Sequence, residues 1–101
     1  MIPIEKIKSI VDTYKALEKQ LSSSDIDKKD FVKKSKEYSS IGEIIKEAKG
    51  YLDLEKEKKE LEKMIIEKDS DKEMIQLAEN ELIQLSEKKK EYEKKLKIYL
   101  L

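Results

Sequence analysis

Apolar residues recur at steps of three and four along most of the chain, which is the spacing of amphipathic helices. The first run covers about residues 3–21, and Pro3 stands in its first turn, where a proline removes no helical hydrogen bond. Residues 22–25 interrupt the pattern with serine and aspartate side chains, which favour turns and caps. The pattern therefore predicts a helix over about residues 3–21, followed by a short connection.

A second apolar stripe extends over about residues 26–68. Its first members are Phe31, Ser35, Tyr38, Ile41, Ile45, Ala48 and Leu52. Every residue from 55 to 60 is charged, which predicts a solvated stretch in the middle of one long helix. Gly42 and Gly50 each cost roughly 1 kcal/mol relative to alanine in a helix interior. The sequence leaves open whether the helix is broken or kinked at one of them.

The third predicted helix covers about residues 71–100. Ser70 and Glu73 match a capping box, in which each side chain accepts a hydrogen bond from the other residue's free backbone amide. Its stripe consists of Ile75, Ala78, Leu82, Leu85, Lys89, Tyr92, Leu96 and Tyr99. Lys89 is the polar exception in this stripe. Such a period is typical of a helix that packs along a partner helix.

A short turn between two long helices makes them antiparallel. Folding the chain near residue 70 places Leu61 beside Ala78 and Leu54 beside Leu85, and further from the turn it places Ala48 beside Tyr92. The sequence therefore predicts a single all-α domain over residues 1–101. Its fold is a long antiparallel helical hairpin, similar to a coiled coil, with the short N-terminal helix packed at the open end.

Charge is plentiful but balanced. Charged residues make up 46% of the chain, with 23 lysines, no arginine and 23 acidic residues, so the net charge is zero. We therefore expect no independent binding of nucleic acid, because no positive surplus draws the chain onto a phosphate backbone. Lysines 88–90, 94 and 95 form a dense basic patch, but Glu87, Glu91 and Glu93 lie within one turn of it. Neutralised helical pairs are the favoured interpretation of this patch.

The side chains that most enzymes need are missing. The chain has no cysteine, histidine or tryptophan, which excludes disulfides, thiol chemistry, the usual zinc ligands and imidazole catalysis within it. Carboxylates such as Glu55, Glu57, Glu91 and Glu93 lie on a rod surface, without the burial that raises a carboxyl pKa toward neutrality. We therefore predict a protein that is not an enzyme, with no catalytic, cofactor-binding or metal-binding residue.

The five tyrosines are Tyr14, Tyr38, Tyr51, Tyr92 and Tyr99. Packing in or beside the apolar stripes is favoured over the stacking of bases on them, because tyrosine combines a large apolar body with a polar tip. The chain also has no apolar block of signal-peptide length and none near the roughly 20 residues of a membrane span. A soluble cytoplasmic protein without membrane contact is the default interpretation.

Two motifs resemble a known family. The first reads Phe31-x-x-x-Ser35-Lys36-Glu37-Tyr38-x-x-Ile41. The second reads Asp71-Lys72-Glu73-Met74-x-x-Leu77-Ala78-x-x-Glu81-Leu82, and it is followed by Leu96-x-x-Tyr99-Leu100-Leu101. In this order and at these distances they resemble the N-terminal helical domain of bacterial class I peptide chain release factors of the type that reads UAA and UAG. The chain departs from the family at Lys72, often a proline there, and at Lys34, usually a leucine.

The resemblance implies a part in translation termination. In the family this domain orients the factor on the ribosome near the stalk base, close to the class II release-factor GTPase. Contact with the methyltransferase that modifies the glutamine of the Gly-Gly-Gln loop is a further implied interaction. That loop and the tripeptide that reads the stop codon lie downstream of this region in the family. We therefore expect this chain to be one domain of a larger factor, unable to terminate translation alone.

Two alternative functions fit a helical hairpin. One is the tRNA-binding helical arm of a seryl-tRNA synthetase, which the zero net charge and the lack of arginine disfavour. The other is a helical-hairpin scaffold or chaperone module of the prefoldin kind, which the lack of strand-like segments disfavours. As an isolated domain the chain is also expected to expose an apolar face over residues 92–101, through which two copies can associate.

Overall fold

The computed structural model describes residues 2–67 and 71–100. These residues form four helices and no strand: α1 (Ile4–Leu21), α2 (Lys28–Gly42), α3 (Ile45–Glu67) and α4 (Lys72–Leu100). The all-α prediction is confirmed. The helices predicted over residues 3–21 and 71–100 match α1 and α4 to within one residue at each end.

α3 and α4 form the predicted antiparallel hairpin. The salt bridges Glu47–Lys95 and Glu55–Lys89 join them, so residue numbers rise along α3 as they fall along α4. Leu54 and Leu85 line one depression between the two helices, and Leu61 and Ala78 line another nearer the turn. The predicted neighbours therefore meet, and the molecule is elongated, measuring 62 by 26 by 16 Å.

The helix predicted over residues 26–68 is broken at Glu43 and Ile44, directly after Gly42, which is one of the two positions where the sequence left a break open. The amides of these two residues donate to the carbonyls of Ser40 and Ile41, three residues back. An α-helix bonds four residues back, so the turn at this point is tighter than a helical turn. Ile44 is 8% exposed and packs in the core, so the break is held by tertiary contacts. Gly50 lies within α3, which continues through it.

The main core lies at the open end of the hairpin, where α1 packs on α2 and α3. Its buried members are Ile2, Ile7, Val11, Ile44, Ala48, Tyr51 and Leu96. The predicted position of the N-terminal helix is therefore confirmed. Tyr92, Tyr99 and Leu100 are half-buried against this core, whereas Ile98 is 74% exposed, so the apolar face expected to be open over residues 92–101 is covered in part; Leu101 lies outside the described residues.

Asp71 caps the start of α4. Its carboxylate Oδ1 accepts a hydrogen bond from the Met74 amide at 3.2 Å, and its carbonyl accepts one from the Ile75 amide at 3.0 Å. This is the geometry of an N-cap residue, which satisfies amides that the first helical turn leaves free. Ser70 of the predicted capping box lies outside the described residues.

Candidate interaction surface

A polar cluster links the two helices of the hairpin. Lys89 Nζ lies 2.7 Å from Glu55 Oε2, and the two side chains are only 15% and 17% exposed. The same ammonium group lies 5.2 Å from the centre of the Tyr51 ring, and the Tyr51 hydroxyl donates to Glu93 Oε1 at 3.1 Å. Lys89, the polar residue in the apolar stripe of α4, is therefore paired with Glu55 of α3. Glu55, predicted to lie in a solvated stretch, faces α4 instead.

The electrostatics of this cluster keep each group in its ordinary charge state. The hydrogen bond from Lys89 is the largest influence on Glu55 and lowers the pKa of its carboxyl. Burial works to lower the pKa of Lys89, but the bond to Glu55 and the nearby acidic groups outweigh it and raise that pKa overall. Burial, followed by the bond to Glu93, raises the pKa of Tyr51. None of these shifts moves a group toward neutrality, where acid–base catalysis would use it.

The tyrosines pack as predicted. Tyr51 is fully buried, and Tyr92 and Tyr99 are half-buried against the same core. Tyr14 and Tyr38 stack on each other with ring centres 4.5 Å apart, and the Tyr38 hydroxyl donates to Glu18 Oε2 at 2.9 Å. These contacts join α1 to α2. The rings therefore serve the packing of helices on one another.

The carboxylates named in the sequence analysis do not come together in a shielded site. Glu57 and Glu91 are exposed, while Glu55 and Glu93 are engaged in the polar cluster. Over residues 2–67 and 71–100, no group of three or more acidic, histidine or cysteine side chains is arranged to hold a metal ion. In the same residues no buried side-chain nitrogen or oxygen lacks a hydrogen-bond partner. None of the helices described is long and apolar enough to cross a membrane.

The basic patch of α4 is partly neutralised, but across the hairpin. Lys89 pairs with Glu55, and Lys95 lies 3.6 Å from Glu47. The sequence instead favoured the glutamates of α4 itself as partners. Lysines 88, 90 and 94 are exposed, and none of them forms an ion pair within the described part of the chain.

A second group of lysines lies on α2. We call Lys28, Lys29, Lys33 and Lys36 the α2 lysine face. All four are exposed, and none forms an ion pair with a described acidic residue. On the opposite side of α2, Tyr38 stacks on Tyr14 of α1 and Ile41 is buried. Sequence analysis missed this face because the α4 lysines are denser along the chain, although residues 28–36 hold five lysines against one aspartate.

Near the turn the hairpin exposes apolar side chains, which we call the tip patch. Its members, with their exposed fractions, are Met64 (36%), Ile66 (77%), Met74 (38%) and Leu77 (62%). Met64, Met74 and Leu77 border a shallow depression together with Leu61 and Ala78. α1 and α2 pack on the other end of the hairpin, so no described helix beyond α3 and α4 covers this patch. Apolar groups clustered in this way are typical of protein contact sites.

The comparisons with known proteins agree with one another. Residues 10–101 match the PCRF domain. The chain is 46% identical over 101 residues to peptide chain release factor 1 of Pelagibacter ubique, 39% identical over 101 residues to that of Chloroherpeton thalassium, and 35% identical over 103 residues to that of Clostridioides difficile. The alignments cover 100%, 96% and 97% of this chain, but only 28%, 27% and 28% of these relatives. No solved structure matches significantly.

Proposed function

Because this chain belongs to the PCRF domain family, we propose that it acts in translation termination as the N-terminal helical domain of a class I peptide chain release factor. The observation that carries the proposal is the family match over residues 10–101. The relatives named above are all called peptide chain release factor 1. None carries the name of a synthetase or a chaperone, the two alternatives considered from the sequence.

The role we propose for the domain is mechanical. A rod 62 Å long, whose two main helices are joined by a packed seam and the Glu55–Lys89 pair, suits a part that sets the orientation of a larger protein. Its titratable cluster is held in ordinary charge states, which does not suit acid–base chemistry. Reading of the stop codon and hydrolysis of peptidyl-tRNA are accordingly assigned to other domains of the factor.

The partners we propose follow the family. The domain orients the factor on the ribosome near the stalk base, in the cytoplasm. The class II release-factor GTPase and the methyltransferase of the catalytic-loop glutamine are further partners of the complete factor. The tip patch supports a protein contact at the turn of the hairpin, because Ile66 and Leu77 are 77% and 62% exposed there.

A chimeric release factor tests the proposal. The segment of the Pelagibacter ubique factor that aligns with this chain is replaced by it, and peptide release is measured on ribosomes programmed with UAA, UAG or UGA. We expect release at UAA and UAG, with kcat and KM within a few-fold of the parent factor. Deletion of the segment should raise KM about tenfold or more and preserve kcat, because the segment contributes binding and not chemistry.

Two results would contradict the proposal. A chimera no better than the deletion variant would show that this chain does not supply the function of the domain. A chimera with unchanged KM but strongly reduced kcat would assign the segment a part in the chemical step, against the positioning role.

A further inference from the structure

We infer that the α2 lysine face contacts the phosphate backbone of RNA on the ribosome. The inference rests on the proposed function and adds to it a defined face and a chemical class of partner. It starts from the finding that these lysines have no described ion-pair partner. In the denser α4 patch, by contrast, two of the five lysines are paired with α3, and the other three lie within one turn of Glu87, Glu91 and Glu93.

The lysines share one side of α2. Lys29, Lys33 and Lys36 follow each other at steps of four and three, which places them on one helical stripe. With a rise of 1.5 Å per residue, this stripe is about 10 Å long. Lys28 borders it, and all four side chains are exposed. A surface in contact with this stripe therefore meets several ammonium groups at once.

Positive charge is concentrated here although the whole chain is neutral. Residues 28–36 contain five lysines and one acidic residue, Asp30, a net charge of +4. The rest of the chain therefore carries −4. Asp30 and Glu37 lie toward the edge of the stripe by helical spacing, and neither is within ion-pair distance of the lysines. The zero net charge thus conceals a local basic surface.

The composition of the face favours RNA over an acidic protein. The ammonium group of lysine binds a phosphate oxygen as a point charge, without a fixed geometry. Protein interfaces are usually centred on buried apolar or aromatic anchors. The only large apolar side chain that borders this stripe is Val32, and Phe31 lies on the opposite side of the helix, about 170° from the centre of the stripe. A phosphate backbone requires charge alone.

The small number of contacts limits what the face can do. Three or four lysines give weak binding on their own at physiological salt, because affinity for a phosphate backbone grows with the number of phosphates neutralised. The face therefore works together with the other ribosome contacts of the complete factor. This agrees with the expectation that the isolated chain does not bind nucleic acid independently.

A charge-matched pair of variants tests the inference in the chimeric factor described above. K29Q/K33Q/K36Q removes three lysines of the face, and K88Q/K90Q/K94Q removes three exposed lysines of α4 that form no ion pair with a described residue. Binding to vacant ribosomes is measured over a range of salt concentrations. The α2 variant should bind about tenfold more weakly at 100 mM salt, and the slope of log K against log salt should become shallower by about 2. The α4 variant should stay within twofold of the parent.

The outcomes separate the alternatives. An equal loss in both variants would indicate a general charge effect and overturn the inference, as would unchanged binding of the α2 variant. Failure of the chimera itself to bind ribosomes would overturn the proposed function as well. Thermal unfolding of both variants verifies that they fold, which glutamine favours as a good helix former.

Crosslinking identifies the partner. The chain has no cysteine, so K33C in a chimera whose other cysteines are replaced by serine gives a single site for a thiol-reactive photo-crosslinker. After irradiation with ribosomes at low salt, adducts are expected in ribosomal RNA. Adducts confined to ribosomal proteins would overturn the assignment to RNA and favour an acidic protein surface.

Discussion

At the scale of single residues, the two glycines differ in what surrounds them. A Cβ on Gly50 would lie 2.7 Å from Tyr92 Cζ, whereas one on Gly42 would meet only Tyr14 Cε1, at 3.9 Å. Neither glycine has a positive φ, so alanine fits both backbones. We expect G42A to stabilise the fold by about 0.5 kcal/mol through helix propensity. G50A should destabilise it by about 1 kcal/mol, because the Tyr92 ring must shift. Thermal unfolding measures both, and Y92A should relieve the cost of G50A.

The Glu55–Lys89 pair is expected to contribute more than its exposed counterpart. Its two side chains are less than one-fifth exposed, while Lys95 in the Glu47–Lys95 pair is 66% exposed. A double-mutant cycle with E55Q and K89Q should give a coupling energy of about 1–2 kcal/mol. The cycle with E47Q and K95Q should give about 0.5 kcal/mol or less. Both cycles are measured by urea denaturation, and equal coupling energies would show that burial does not strengthen the Glu55–Lys89 pair.

The same pair predicts how stability depends on pH. Folding lowers the pKa of Glu55, so its contribution is present above the unfolded value of about 4.3 and is lost as the pH falls through the folded value. Folding raises the pKa of Lys89, so its contribution is present below about 10.4 and is lost as the pH rises through the folded value. The difference in unfolding free energy between the parent and E55Q/K89Q should therefore be flat between these limits and shrink outside them. A difference that changes steadily around neutral pH would refute this assignment.

At the scale of elements, the sequence predicts what local spacing determines. The stripes of α1 and α4 and the antiparallel seam follow from apolar periodicity, and they agree with the structure. The sequence left open a break at Gly42 or at Gly50, and apolar periodicity could not choose between them, because the core contacts of Ile44 that hold the break come from distant parts of the chain. The partner of Lys89 was also missed. Glu55 belongs to an unbroken charged run, in which nothing local marks the one residue that faces α4.

The start of α4 provides a prediction about helix capping. Asp71 and Asp27 both precede a helix, but only Asp71 accepts a side-chain capping bond, from the Met74 amide. We expect D71A to lower the free energy of unfolding by about 1 kcal/mol, because that amide loses its partner. D27A serves as the matched control and should cost only a few tenths of a kcal/mol. Chemical denaturation of both variants measures the costs, and equal costs would show that the capping bond adds no stability.

At the scale of the whole molecule, the α2 lysine face was hidden by two properties of the sequence. Its positive charge is balanced by acidic residues elsewhere in the chain, so it does not show in the net charge. Its lysines are spread over nine residues, so the denser lysine run of α4 is the stronger signal in the sequence. Only the packing of α3 on α4 shows which lysines have partners. The elongated shape is likewise a property of the assembled helices. The radius of gyration is 18.3 Å, against about 13 Å for a globular domain of this length.

The uneven distribution of the core along this rod predicts a gradient of local stability. Ile7, Tyr51 and Leu96 are fully buried at the open end, whereas the tip patch leaves Met64 and Leu77 exposed. Because regions with few buried contacts open at a lower free energy, amide hydrogen exchange should be slowest in residues 48–52 and 92–97. Residues 60–66 and 74–80 should exchange at least about tenfold faster, with little dependence on denaturant, since they open locally. Uniform protection along α3 and α4 would mean that the hairpin unfolds as one unit, and that its tip is as stable as the end covered by α1.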